Sequence, residues 1–289
     1  MLGGIGKWFA GFVATLLVGC ASRPALEPVR LDAGSAQPSA DVSDLAAVLA
    51  AAVTDDGRVD AARLAGVADR LGAQLRRMVV SGPDATPELY PTYGARAAYW
   101  LNARTAWSLE LARLAGCPEC VELGRILARP FPLNGRMVTL GAIDEVLLAE
   151  ARRSGDFRPA ACAPCVSVNY GPLPRIPFAG DGLDARLQEA LDEFVVDPRR
   201  FVIDPAGNIV FVPPMLWACR ELVLERYHSQ FGPAEIDVIA ALKSFVARRG
   251  RERLERAVGF RALPQQPREE LAIPKRSVFY PGRIGRIEP

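Results

Sequence analysis

Apolar positions recur with helical spacing through most of the chain. Leu64, Val67, Leu71, Leu75 and Met78 fall at intervals of three and four, which predicts a helix over 61–80. Leu45 to Val53 is helical by composition, with Ser43 or Asp44 available as N-cap. Gly94 to Leu114 predicts a third helix. It is nearly apolar all round, with Tyr99, Trp100, Leu101, Ala106, Trp107, Leu109 and Leu111, and so belongs at the centre. Further helices are predicted over 121–127, 141–151, 183–195, 216–227 and 234–249. Arg136 to Leu140 reads as a short strand. Phe201-Val202-Ile203 and Ile209 to Val212, joined by a Pro-Ala-Gly-Asn turn, read as a β-hairpin. Pro-rich loops fill 81–91 and 157–178. The pattern predicts a helix-rich α+β fold, one domain over 43–262, followed by an extended Pro- and charge-rich strap over 263–289.

The first twenty residues break this pattern. One cation, Lys7, precedes an apolar run from Trp8 to Val18. As a helix that run is too short to cross roughly 30 Å of hydrocarbon. It has the form of a secretory leader, and it ends in Leu17-Val18-Gly19-Cys20, which resembles a bacterial lipobox. That resemblance implies cleavage before Cys20 and acylation of its thiol, with 1–19 removed. Ala21 and Ser22 follow, with no Asp to favour inner-membrane retention, so the outer membrane facing the periplasm is the expected address. Residues 20–42, rich in Pro, Ser, Ala and Gly, are expected to act as a flexible tether. The expected partners are a lipid bilayer through acylated Cys20 and an envelope protein or glycan.

Composition narrows the classes further. The 289 residues carry 24% charge and a net charge of +2, which gives no bulk electrostatic case for nucleic acid. Only Lys7, Lys243 and Lys275 are lysines. No Walker loop, dinucleotide fingerprint or G-x-S-x-G elbow occurs.

The order of several segments is similar to that of the domain of unknown function 547 family. Tyr99-Trp100-Leu101-Asn102-Ala103-Arg104-Thr105-Ala106 resembles its W-x-N segment. Thr139-Leu140-Gly141-Ala142-Ile143-Asp144-Glu145 resembles its S-L-x-x-I-E-H segment, and Arg158, Cys165 and Leu173 fall where its Arg, Cys and C-P-P-L elements stand. Asp56-Gly57-Arg58-Val59-Asp60 and Trp217 complete the order. The resemblance covers roughly 50–230 and implies a fold and a site location. It departs where chemistry would sit: the family's histidines fall on Ala160 and Glu145, its second Cys on Tyr170.

Three readings of the cysteines remain. Cys117-Pro-Glu-Cys120 and Cys162-Ala-Pro-Cys165 are C-x-x-C pairs with forty-one residues between them. Four thiolates hold Zn²⁺ tetrahedrally, whereas an oxidising compartment joins them as disulfides. As a nucleophile Cys165 needs a base. The chain's single His, His228, is the candidate, with Asn102 to orient it in a thiol hydrolase or transferase. Alternatively Asp144 turns inward to Arg158 or Asn102, and the three form a structural polar cluster. Asp144 and the adjacent Glu145 diverge by about 100° on a helix, so they do not share a face. The balance of these readings is a non-catalytic binding or scaffold module.

Overall fold

The computed structural model describes residues 26–120 and 122–265. The leader, Cys20 and all but the first residues of the C-terminal strap lie outside them. Among the described residues twelve α-helices and two small sheets form a helix-rich α+β fold. The first layer is α1 (Ser43–Ala52), α2 (Ala61–Gly66) and α3 (Ala68–Val80). Leu45, Val48, Leu49 and Ala52 of α1 are buried against Leu71, Leu75 and Met78 of α3. The single helix expected over 61–80 is interrupted at Val67, after Gly66. Asp60 caps α2 by accepting from the Arg63 N–H at 3.0 Å.

The central helix is α4 (Tyr93–Leu114), started by Thr92, whose hydroxyl accepts from the Ala95 N–H. Every residue from Ala97 to Leu109 is buried, as the all-round apolar pattern predicts. On one side lie α5 (Leu123–Leu127) and a hairpin of β1 (Phe131–Leu133) and β2 (Arg136–Val138). The hairpin turn is Asn134-Gly135, both left-handed, with φ of 53° and 74°. Phe131 stacks on Trp107 with ring centroids 4.3 Å apart. Also packed on α4 is α6 (Leu140–Ser154), capped by the Thr139 hydroxyl and ended by left-handed Gly155.

Beyond α6 the chain forms α7 (Arg158–Ala161), a long loop and α8 (Leu183–Val196). The predicted hairpin is present as β3 (Val202–Asp204) and β4 (Ile209–Val212), antiparallel with Val202 opposite Phe211. The helices expected over 216–227 and 234–249 are each divided. α9 (Pro214–Ala218) and α10 (Arg220–Phe231) break at Cys219, and α11 (Val238–Lys243) is separate from α12 (Arg248–Glu255).

Both edges of the expected domain move. β5 (Arg261–Pro264) pairs in parallel with β4, so the strap expected from 263 begins inside a strand. Residues 26–31 are not a free tether. Val29 is buried, its N–H donates to the Pro130 carbonyl at 2.8 Å, and Leu26 and Leu31 pack on the core. Three apolar side chains in an otherwise polar stretch give that segment something to bury.

Candidate functional site

Arg104 is the one cation among the buried side chains of α4, and its side chain is fully enclosed. An enclosed guanidinium requires a counter-charge and acceptors for its planar fork. Asp144, one turn into α6, supplies both. Arg104 Nε donates to Asp144 Oδ1 at 2.5 Å and Nη2 donates to Oδ2 at 3.1 Å. Nη1 donates to the Pro164 carbonyl, and the guanidinium carbon lies 4.2 Å from the centre of the Tyr170 ring. Burial alone lowers the Arg104 pKa. The Asp144 carboxylate, first among its neighbours, outweighs that and holds it above the ordinary arginine range. Burial raises the Tyr170 phenol, opposed by the Arg104 charge.

The loop that carries Cys165 and Tyr170 is fixed by its backbone. The Gly171 N–H donates to the Ala163 carbonyl at 3.0 Å, and the Cys165 N–H donates to the Gly171 carbonyl at 3.3 Å. A Cβ on Gly171 would stand 2.0 Å from the Cys162 carbonyl oxygen, so only glycine fits. A second buried arginine, Arg200, holds the far end of the loop by donating to the Tyr170 carbonyl, while Asp197 accepts from its Nε at 3.1 Å.

Together these parts enclose a cavity of about 280 Å³. Its lining includes Arg104, Asp144 and Cys165. Ser167, Asn169 and Tyr170 line one wall, and Leu123, Leu127 and Leu140 supply apolar surface.

The residues expected to act together are dispersed. Cys165 is fully buried in this cavity. His228 is exposed on α10, outside the cavity lining, and the Ala234 carbonyl accepts from its Nε2 at 3.0 Å. The expected Cys165–His228 pair is therefore not assembled. Asn102 lines a different cavity, of about 200 Å³. Its Nδ2 donates to the Phe178 carbonyl and its Oδ1 accepts from the Phe178 N–H, both at 2.8 Å. With both ends of its amide on one backbone, Asn102 pins the loop before α8.

Arg158 is in a third place. It pairs with Asp156 at 2.9 Å and with exposed Asp184, while Arg226 donates to Asp156 at 2.8 Å. The polar cluster expected of Asn102, Asp144 and Arg158 is thus three separate anchors. Asp144 does turn inward while Glu145 is exposed, but its partner is Arg104.

The cysteines divide as well. Cys117 and Cys120 form a disulfide and offer no thiolates, so the expected zinc arrangement of four cysteines is not assembled. Cys162, Cys165 and Cys219 are free and buried. Burial pushes the Cys219 thiol up to about 12 and moves Cys162 in the same direction. Among the described residues no group of three or more His, Cys, Asp or Glu converges as metal ligands.

The signal for Arg104 was present in the sequence. Arg104 is the middle one of three arginines in the helix and sits among its apolar residues, where a cation must be paired, although its position gives no clue to the partner. No family model, curated protein or solved structure matches the chain.

Proposed function

We propose that the chain is a cell-envelope lipoprotein, held to the outer membrane by acylated Cys20, whose body is a binding or scaffold module working without catalysis. Its partners are the bilayer through Cys20 and an envelope protein or glycan. The address draws on the apolar leader that ends in Leu17-Val18-Gly19-Cys20. The site's position draws on the ordered motifs that resemble the domain of unknown function 547 family.

One observation carries the non-catalytic reading. The buried thiol of Cys165 lies beside a guanidinium whose fork is already occupied by Asp144 and Pro164, and the chain's only imidazole is on another surface. A nucleophilic thiol needs a base within hydrogen-bond reach. Arg104 is no base, and Asp144 is committed to it through two hydrogen bonds.

Fractionation tests the address. The wild-type chain is expected in the membrane pellet, and Cys20→Ser is expected to release it to the soluble exported fraction. A Cys20→Ser chain that stays in the pellet contradicts the anchor. For the body, wild-type and Cys165→Ser chains are expected to give the same background rate on ester and thioester substrates. A rate that depends on Cys165 contradicts the module reading.

A further inference from the structure

We infer that the outer face of α12 and the turn after it form a docking surface for an anionic phospholipid bilayer, a contact separate from Cys20. The inference goes beyond the anchored-module reading and rests on where the charge of the chain lies.

Positive charge is concentrated in one short segment. From Lys243 to Arg261 there are seven cations and two carboxylates, a net charge of +5. The whole chain carries +2, so the other 270 residues are net −3. Both carboxylates are already engaged, Glu252 with Arg248 at 3.6 Å and Glu255 with Lys243 at 2.6 Å. Arg249, Arg256 and Arg261 are exposed, and among the described residues none of them stands in an ion pair. Burial lowers the Arg253 pKa; Asp197 opposes this, and the like charge of Arg256 adds to it. The segment repels itself, and an anionic surface opposite it relieves that repulsion.

The packing of α12 turns these cations outward. Its buried residues, Gly250 and Leu254, are one turn apart on a single face. A Cβ on Gly250 would stand 3.1 Å from Val246 Cβ and 3.6 Å from Val195 Cγ1, so glycine lets the helix lie close on the body. Arg253 Nη2 donates to the Phe201 carbonyl at 2.6 Å and ties the helix down. Arg248, Arg249, Arg251 and Arg256 are left on the solvent side, Arg248 with its side chain 92% exposed. No residue of α12 lines the cavities at Cys165, Asn102 or Asp156, so the face offers a small anion none of those enclosures. The helix carries no aromatic residue on which nucleobases would stack. Instead Val258, an apolar side chain 38% exposed, stands in the chain between Arg256 and Arg261. Cations around an exposed apolar side chain match a plane of phosphates over hydrocarbon.

Sedimentation with vesicles tests this on the soluble exported Cys20→Ser chain, which has no acyl group. At low salt, binding to phosphatidylcholine vesicles that contain phosphatidylglycerol is expected to be at least about tenfold tighter than to phosphatidylcholine alone, and to be lost at high salt. Each arginine near an anionic bilayer contributes about fivefold. Arg249→Gln with Arg256→Gln is therefore expected to weaken binding about twentyfold, while Arg249→Lys with Arg256→Lys, which keeps the charge, stays within about threefold. Arg70→Gln with Arg152→Gln removes the same charge from other helices and is expected to change binding by less than about threefold. All these positions are exposed, so the variants keep the fold. Equal binding to the two kinds of vesicle, no binding, an Arg249 and Arg256 variant that binds like wild type, an Arg70 and Arg152 variant as weak as it, or tighter binding to duplex DNA than to the anionic vesicles each overturns the inference. Adsorption of this kind is reversible and screened by salt, so release of Cys20→Ser on fractionation remains the expected result. The anchor is read there, independently of the vesicles, and failure of this surface leaves the anchored-module reading standing.

Discussion

Arg104 and Asp144 show how an interior charge is tolerated: the guanidinium donates to the Asp144 carboxylate and the Pro164 carbonyl, and the Tyr170 ring covers it. Breaking such a pair leaves the surviving charge buried and alone. Arg104→Ala is therefore expected to destabilise the fold by about 3–5 kcal/mol, with Asp144→Ala similar. The double change Arg104→Leu with Asp144→Leu is expected to recover much of that loss, because no charge remains unpaired. Urea denaturation of the four proteins checks this; a double variant as unstable as the sum of the singles contradicts it.

The free thiols give a second test at this scale. Burial raises Cys162 and Cys219, the latter to about 12, so at pH 8 almost no thiolate is present at either. Iodoacetamide is expected to leave both unmodified in the folded protein and to modify both after unfolding, as read by peptide mass.

At the scale of elements, the loop that runs on from Cys165 through Gly171 to Phe178 depends on single residues. Asn102→Ala removes two hydrogen bonds and strands the buried Phe178 carbonyl and N–H. The expected cost is about 1–3 kcal/mol, with faster hydrogen exchange confined to the loop around Phe178. Protection there equal to wild type contradicts the assignment. Gly171→Ala places a methyl against the Cys162 carbonyl, so backbone must move. A loss of roughly 1–3 kcal/mol or more is expected in a thermal melt.

Elements with their own periodicity were legible in the chain: α4, α6, α8 and the β3–β4 hairpin stand where the pattern puts them. Elements that exist only through distant partners were not. β5 is a strand because β4 offers an edge to it, and α7 is a single turn inside a Pro-rich stretch. The breaks at Val67 and Cys219 interrupt segments whose apolar spacing runs on without a gap. At the site, the inward turn of Asp144 was readable, but its partner lies forty residues away on another helix, and residue spacing carries no information across that distance.

Across the molecule, acid sensitivity follows from the carboxylates that hold arginines. Burial works to raise the Asp156 carboxyl, but Arg158, by hydrogen bond and charge, and then Arg226 hold it below the ordinary value. A depressed folded pKa contributes stability that is complete above the unfolded value, about 3.9, and is lost as pH falls through the folded one. Asp156→Asn is therefore expected to cost about 2–3 kcal/mol at neutral pH and to flatten the loss of stability below pH 4. Denaturation midpoints from pH 7 to pH 2 measure it; an unchanged acid limb contradicts it.

An anchored, inert body is tested most directly by the intact mass of protein recovered from cell envelopes, before and after alkylation under native conditions. The mass is expected to correspond to a chain beginning at acylated Cys20 with one disulfide, and to stay unchanged on native alkylation. An intact N-terminus on protein from the cytosolic fraction, or rapid single-site modification at Cys165, would contradict it.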